Sequence, residues 1–150
     1  MSEHSNDPFD LQRFVEAQKA IYPQALGELR AGHKQSHWSW FIFPQVVGLG
    51  SSSMSVRYAI KSLAEAQAYL AHPVLGARLS ECVSTLNSLT GLSADQILGA
   101  VDAQKYRSCL TLFARAAIAD PAFGKALNKY FDGKPDDATL AILAKQQGAP

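Results

Sequence analysis

Several things are scarce in this chain, and each shortage removes a class of function. Charge of one sign is missing: 14 Lys and Arg stand against 13 Asp and Glu, a formal net charge of +1. General nucleic-acid binding, which depends on clustered cations, is therefore not expected. Long apolar runs are also missing, and no basic segment followed by an apolar one opens the chain. A membrane span and a secretory leader are thus not expected, and the expected location is the cytoplasm. Cysteine is nearly absent. Cys82 and Cys109 are the only two, and in a cytoplasmic chain such a pair is expected to be reduced and buried, while two thiols cannot complete a four-ligand zinc site. No His-x-x-x-His spacing occurs on a predicted helix, so no metal site is expected, and no cofactor is predicted either. Hairpin signals and internal repeats are lacking as well.

What remains is helical. With 47% apolar residues in 150, the chain can fill one core. Residues 1–6 are polar and aperiodic and read as a disordered tail, and residues 7–147 as one helical domain. Asp7-Pro8 is the first expected helix start. It is followed by the stripe Leu11, Phe14, Val15, Gln18, Ile21 and Tyr22. Pro23 is expected to end that helix, and residues 24–31 to form a second short one closed by Gly32. Residues 37–43 read as extended, with His37, Ser39, Phe41 and Phe43 on one side and Trp38, Trp40 and Ile42 on the other. Both sides are mostly apolar, so the segment is expected to thread the core and stop at Pro44. Gly48, Gly50 and Ser51 to Ser53 make a turn-rich loop.

Further starts are Ser62 and Ser93 with a Glu or Gln three residues on, His72-Pro73, Asp102, Asp120-Pro121, and Asp136 or Asp137. The predicted fold is all-α, a compact bundle of about seven or eight short helices with one irregular aromatic and Gly/Ser segment.

Three constellations can carry chemistry. The glycines of residues 48–53 let backbone N–H groups turn inward as a nest. Ser53 adds a hydroxyl, and Arg57 a fork suited to phosphate or carboxylate. The same residues also make an ordinary flexible loop. Neither a Walker lysine nor a dinucleotide fingerprint is present. Trp38 and Trp40 either fill the core or stack on a planar ring. His37, as an imidazole, is a candidate acid or base. In the third constellation Asp102 is explained as a helix N-cap, while Lys105 and Ser108 share one helix face. Lys105 there either snorkels to water or anchors an anion. Gln18, an amide inside an apolar stripe, either pins a neighbouring loop or faces a ligand.

The runs RFVEAQ, ELRAGHKQSHWSWFIFPQVVGLGSSSMSVRYAI, EAQAYLAHPVLGARL and DAQKYRSCLTLF resemble the bacterial family called domain of unknown function 1810, over nearly the whole chain. The resemblance implies a compact all-α domain and brings no activity with it. The label calpastatin that some members carry does not fit, because that inhibitor is disordered and this chain has a full set of core stripes. Two positions depart from the family pattern, Ser39 in place of Met and Leu98 in place of an aromatic. The family pattern also singles out polar positions that helix formation does not require: Gln18, Lys34, His37, Gln45, Ser53, Arg57, Tyr58, Asp102, Lys105 and Ser108.

The expected function is a pocket for an anionic, phosphate-bearing, nucleotide-like small molecule. Trp38 or Trp40 would stack, Arg57 and the loop would hold the anion, and Gln45 would read an edge. Lys105, Asp102 and His37 would serve a hydrolase or N-glycosidase. The alternative is a non-catalytic interaction domain that docks a protein through an exposed aromatic patch.

Overall fold

The computed structural model describes residues 7–148, so the tail expected at residues 1–6 lies outside the described residues. In chain order the helices are α1 (Gln12–Arg30), α2 (Ser39–Ile42), α3 (Ser53–Arg57), α4 (Leu63–Ala71), α5 (Leu75–Ser88), α6 (Ala94–Leu98), α7 (Ala100–Ala116), α8 (Pro121–Phe131) and α9 (Asp137–Gln146). Among the described residues the only β-pairing is an isolated parallel bridge between Val46 and Ile60. The all-α expectation holds. The helices outnumber the expectation because α2 and α3 are single turns that leave no periodicity to read, while the two helices expected on either side of Pro23 are one.

The predicted break at Pro23 does not occur, and α1 runs straight through it. A proline lacks the N–H of one helical bond and crowds the carbonyl four residues back. The helix survives because its apolar face keeps phase across the proline: Phe14, Gln18, Ala25, Leu26 and Leu29 are all buried. Nor does Asp7 cap from beside a helical Pro8. Its carboxylate reaches across a turn to accept from the N–H groups of Leu11 at 2.8 Å and Gln12 at 3.0 Å. Gly32 does close the helix. It takes φ +72°, its N–H donates to the Leu29 carbonyl, and His33 N–H donates to that of Glu28, each at 3.0 Å. These are the paired bonds of a Schellman end. The positive φ is what favours glycine here; the Leu92 Cδ1 that a Cβ would meet at 2.7 Å is the tip of a flexible side chain.

Helix α7 is the centre of the bundle, packed against α2, α4, α6, α8 and α9. A helix surrounded in this way is buried nearly all round its middle, and residues 108–113 are buried without interruption. It begins after Gly99, earlier than expected, which puts Asp102 in its first turn instead of at its cap. Its carboxylate is thereby free for other partners.

The Ser93 and Gln96 pair forms a full capping box, and Asp120 and Asp136 cap α8 and α9. At the other expected box Ser62 caps α4, but the Glu65 carboxylate turns away to Lys61 N–H and to Arg13. Cys82 and Cys109 are free and buried. Burial pushes the Cys82 thiol up to about 12, which leaves it inert as a nucleophile.

Among the described residues three buried side-chain atoms lack a hydrogen-bond partner: Ser39 Oγ, Asn87 Oδ1 and the Tyr106 hydroxyl. The Tyr106 hydroxyl is buried in the core, on a ring that packs against Phe43 and Phe131. Removing an orphaned buried hydroxyl removes a desolvation cost. Tyr106→Phe is expected to leave the melting temperature unchanged or to raise it, by about 1 kcal/mol of stability at most, as read by thermal denaturation.

Candidate functional site

The Gly/Ser segment is a loop with closed ends. Val47 N–H donates to the Ile60 carbonyl at 2.9 Å and Ile60 N–H to that of Gln45 at 2.8 Å, so the chain between leaves and returns at one point. Arg13, from α1, fastens the returning end. Its guanidinium donates to the carbonyls of Arg57 and Ala59, each at 2.8 Å, to those of Phe9 and Asp10, each at 2.7 Å, and to Glu65 at 2.7 Å. All five of its N–H donors are used.

Residues 37–43 are not extended, because residues 39–42 make one helical turn. That turn decides the fate of the two tryptophans. Trp38 is fully buried, with its indole N–H donating to Glu28 at 3.0 Å. Trp40, offset around the turn, is only half-buried and lines a surface cleft. The cleft holds about 390 Å³ between this turn, the loop and the start of α7. Trp40, Gln45, Tyr58, Val101, Gln104 and Lys105 line it, and Gly48, Leu49, Gly50 and Ser55 shape its loop wall. Gly50 leaves room for Ser55, whose Oγ and Cβ a Cβ there would approach to 2.7 and 2.9 Å.

The charges are arranged in a row. Lys105 Nζ sits 4.6 Å from the centre of the Trp40 ring and 3.5 Å from Asp102 Oδ1. Asp102 Oδ2 meets Lys34 Nζ at 2.7 Å, and Lys34 Nζ in turn lies 4.8 Å from the centre of the Trp38 ring and donates to the Ser36 carbonyl. Partial burial works against the Asp102 carboxylate. The hydrogen bond and charge of Lys34 and the charge of Lys105 more than offset it, and its pKa lies below the ordinary carboxylate value. One carboxylate thus serves two ammonium groups.

Behind this row Glu28 holds the backbone before α2. It accepts from the N–H groups of Gln35 and Ser36, the Ser36 hydroxyl, the Trp38 indole and the Gln24 amide. Burial opposes its charge, but these donors win and lower its pKa to about 2.

Of the residues singled out in the sequence, Trp40, Gln45, Tyr58 and Lys105 converge on the cleft, with Asp102 and Lys34 behind Lys105. The others stand elsewhere. Gln18 is a structural pin, donating to the Phe41 carbonyl at 2.6 Å and the Tyr69 hydroxyl at 3.0 Å and accepting from Arg78. Ser108 is buried and bonds back to the Gln104 carbonyl at 3.1 Å. His37 and Ser53 are exposed and do not line the cleft. Arg57 is exposed too, its Nε donating to the Tyr58 hydroxyl at 3.3 Å. In the loop the Ser52 hydroxyl is occupied in capping α3, so the nest pictured from the Gly/Ser composition is in part a helix cap.

Sequence reasoning missed Arg13, Glu28 and Gln104. Gln104 was within reach, because Val101, Gln104 and Lys105 share one face of α7 by their spacing. Arg13 and Glu28 gave no local signal, since what they hold is distant in sequence.

None of the curated proteins compared matches the chain. A solved structure does. The crystal structure of the conserved hypothetical protein Rv1873 from Mycobacterium tuberculosis is 52% identical over 91% of this chain and 98% of its own, with a TM-score of 0.90. That protein carries no stated activity in its description, so the likeness supports the helical architecture above. A family model covers residues 8–143, including every element that builds the cleft. The chain belongs to the family described as Protein of unknown function (DUF1810).

Proposed function

We propose that the cleft beside Trp40 binds a small planar anion of nucleotide-like character. The observation that carries this reading is the shared carboxylate: Asp102 faces both Lys34 and Lys105, so the group of three bears a net positive charge. The outer lysine, Lys105, lies in the cleft over an aromatic face. An anion at Lys105 completes the charge pairing, and Trp40 and Tyr58 supply flat apolar surface beside it. The volume falls at the small end of the range for ligand sites, about 300–1,000 Å³. The anchor is therefore Lys105, because the Arg57 side chain does not line the cleft.

The reading ends at binding. Asp102 is a weakened base held by two ammonium groups, and His37 does not line the cleft. The hydrolase or N-glycosidase reading thus lacks an acid–base pair there. The docking alternative has less support still, because Trp38, Phe41, Ile42 and Phe43 are buried and leave no aromatic patch to present.

The test is thermal stabilisation by inorganic phosphate, pyrophosphate and nucleoside monophosphates. A ligand in hundredfold excess over its Kd should stabilise the wild type by about 2.7 kcal/mol. Lys105→Gln should lose the response to every anion. Trp40→Phe should remove any ligand-dependent change in indole fluorescence, since Trp38 is sealed from the cleft. A wild-type melting temperature indifferent to all of these probes sinks the proposal.

A further inference from the structure

The cleft contains a polar group whose orientation is fixed from behind. Gln104 Nε2 donates to Asp136 Oδ1 at 2.9 Å. A primary amide can turn over and exchange its oxygen and nitrogen ends, but this one has a partner that forbids it. Asp136 is buried, and its other oxygen accepts from Thr139 N–H at 3.0 Å and from the Thr139 hydroxyl at 2.6 Å. Its backbone N–H is held by Thr111 Oγ1 at 2.8 Å. Asp136 is therefore locked as the cap of α9, and as a carboxylate it can only accept. A flipped Gln104 would set two oxygens against each other. The nitrogen end of Gln104 stays with Asp136, and the carbonyl Oε1 is the end left without a partner among the described residues, in a residue that lines the cleft.

Oε1 is an acceptor only, so its match on a ligand is an N–H or O–H donor. Gln45 lines the cleft with its backbone carbonyl spent on Ile60 and its side-chain amide without a partner among the described residues, which offers both a donor and an acceptor. Together with the Trp40 and Tyr58 surfaces and the Lys105 charge, these groups describe a flat ring with hydrogen-bonding edges that carries an anion. A volume of about 390 Å³ suits a mononucleotide better than a dinucleotide.

We infer that Gln104, oriented by Asp136, is the specificity-determining acceptor of the cleft, and that its occupant is a nucleoside monophosphate whose base presents a ring N–H to Gln104 Oε1. This rests on the anion-site reading above and adds the identity of the edge that is read.

The experiment compares analogues on the whole protein by calorimetric titration. The pairs are uridine 5′-monophosphate with its N3-methyl analogue and guanosine 5′-monophosphate with its N1-methyl analogue; pyrophosphate serves as the control anion. Each methyl group replaces the ring N–H and leaves the phosphate unchanged. The expected result is that at least one parent binds and that its methylated form binds tenfold or more weakly. In Gln104→Leu the parent should fall to the affinity of the methylated form, while the pyrophosphate response persists. Equal binding of parent and methylated nucleotide overturns the inference. So does undiminished parent binding by Gln104→Leu. If pyrophosphate binds and neither parent does at millimolar concentration, the inference falls and the anion site stands. If neither pyrophosphate nor any nucleotide binds, both fall.

Discussion

Arg13→Ala is expected to cost about 3–5 kcal/mol of stability, the range for removing one partner of a buried ion pair. Arg13 and Glu65 are both buried, with side-chain exposures of 5% and 0%. Truncation leaves the Glu65 carboxylate in the core with only the Lys61 N–H at 3.0 Å, and it also strips the carbonyls of Phe9, Arg57 and Ala59 of their donor, while that of Asp10 keeps the Arg13 backbone N–H. The loss should appear as a lower midpoint in urea denaturation. Arg13→Lys should recover little, because an ammonium group cannot reproduce five N–H bonds in a planar fork. Replacing both charged partners with apolar residues, Arg13→Met with Glu65→Leu, should recover more stability than either single variant retains, since no unpaired charge is left behind. The double variant still lacks the donors to Arg57 and Ala59, so the loop should loosen beside Tyr58. Stability restored without anion binding is the expected outcome of that combination. If Arg13→Ala melts like the wild type, the clamp is not what holds the loop.

Glu28→Ala is the second large effect. Five donors converge on this carboxylate, and the Trp38 indole N–H among them sits in the core. Hydrogen bonds to a charged group contribute about 1.5–3 kcal/mol each and are not additive, so a loss of about 3 kcal/mol is expected. Lys34 and the backbone before α2 should shift with it, weakening anion binding at Lys105 as well.

The same residue predicts an acid transition. The folded-state pKa of Glu28 is about 2, against an ordinary value of 4.5. A depressed pKa means that this contribution is fully present above the ordinary value and is lost as pH falls through the folded one. Wild-type stability should therefore decline between pH 4.5 and about 2. Glu28→Gln, already lacking the charge, should decline less over that window. Urea midpoints measured across the window check both statements, and parallel pH profiles for the two proteins would refute them.

The local rules of the sequence reached the helices and many of their ends. Asp120, Asp136, Ser93 with Gln96, and Gly32 all close helix ends as their residue types require, because a cap is satisfied within a few residues of itself. The failures were places where tertiary burial overrode a local preference. Pro23 was tolerated since the face of α1 stays in register on both sides of it. Residues 39–42 coil into a turn since a segment surrounded by core gains nothing from alternation. Glu65 left its capping box for Arg13.

The cleft was legible in part. Trp40, Gln45, Tyr58 and Lys105 were named from residue type and family pattern, and the structure gathers them from the aromatic segment, the loop and α7. Which tryptophan faces the cleft could not be read, because both lie in one apolar run and only the helical turn separates them.

By itself the sequence determined an all-α chain, its caps and the polar residues worth watching, since these follow from spacing, composition and short-range hydrogen bonds. Only the tertiary structure decided that Lys34, Asp102 and Lys105 form one charged row, that Arg57 and His37 stand outside the cleft, and that Arg13 and Glu28 fasten its walls. Those outcomes depend on contacts between residues far apart in the chain, and no local pattern encodes a pairing whose two halves meet only after the core has closed.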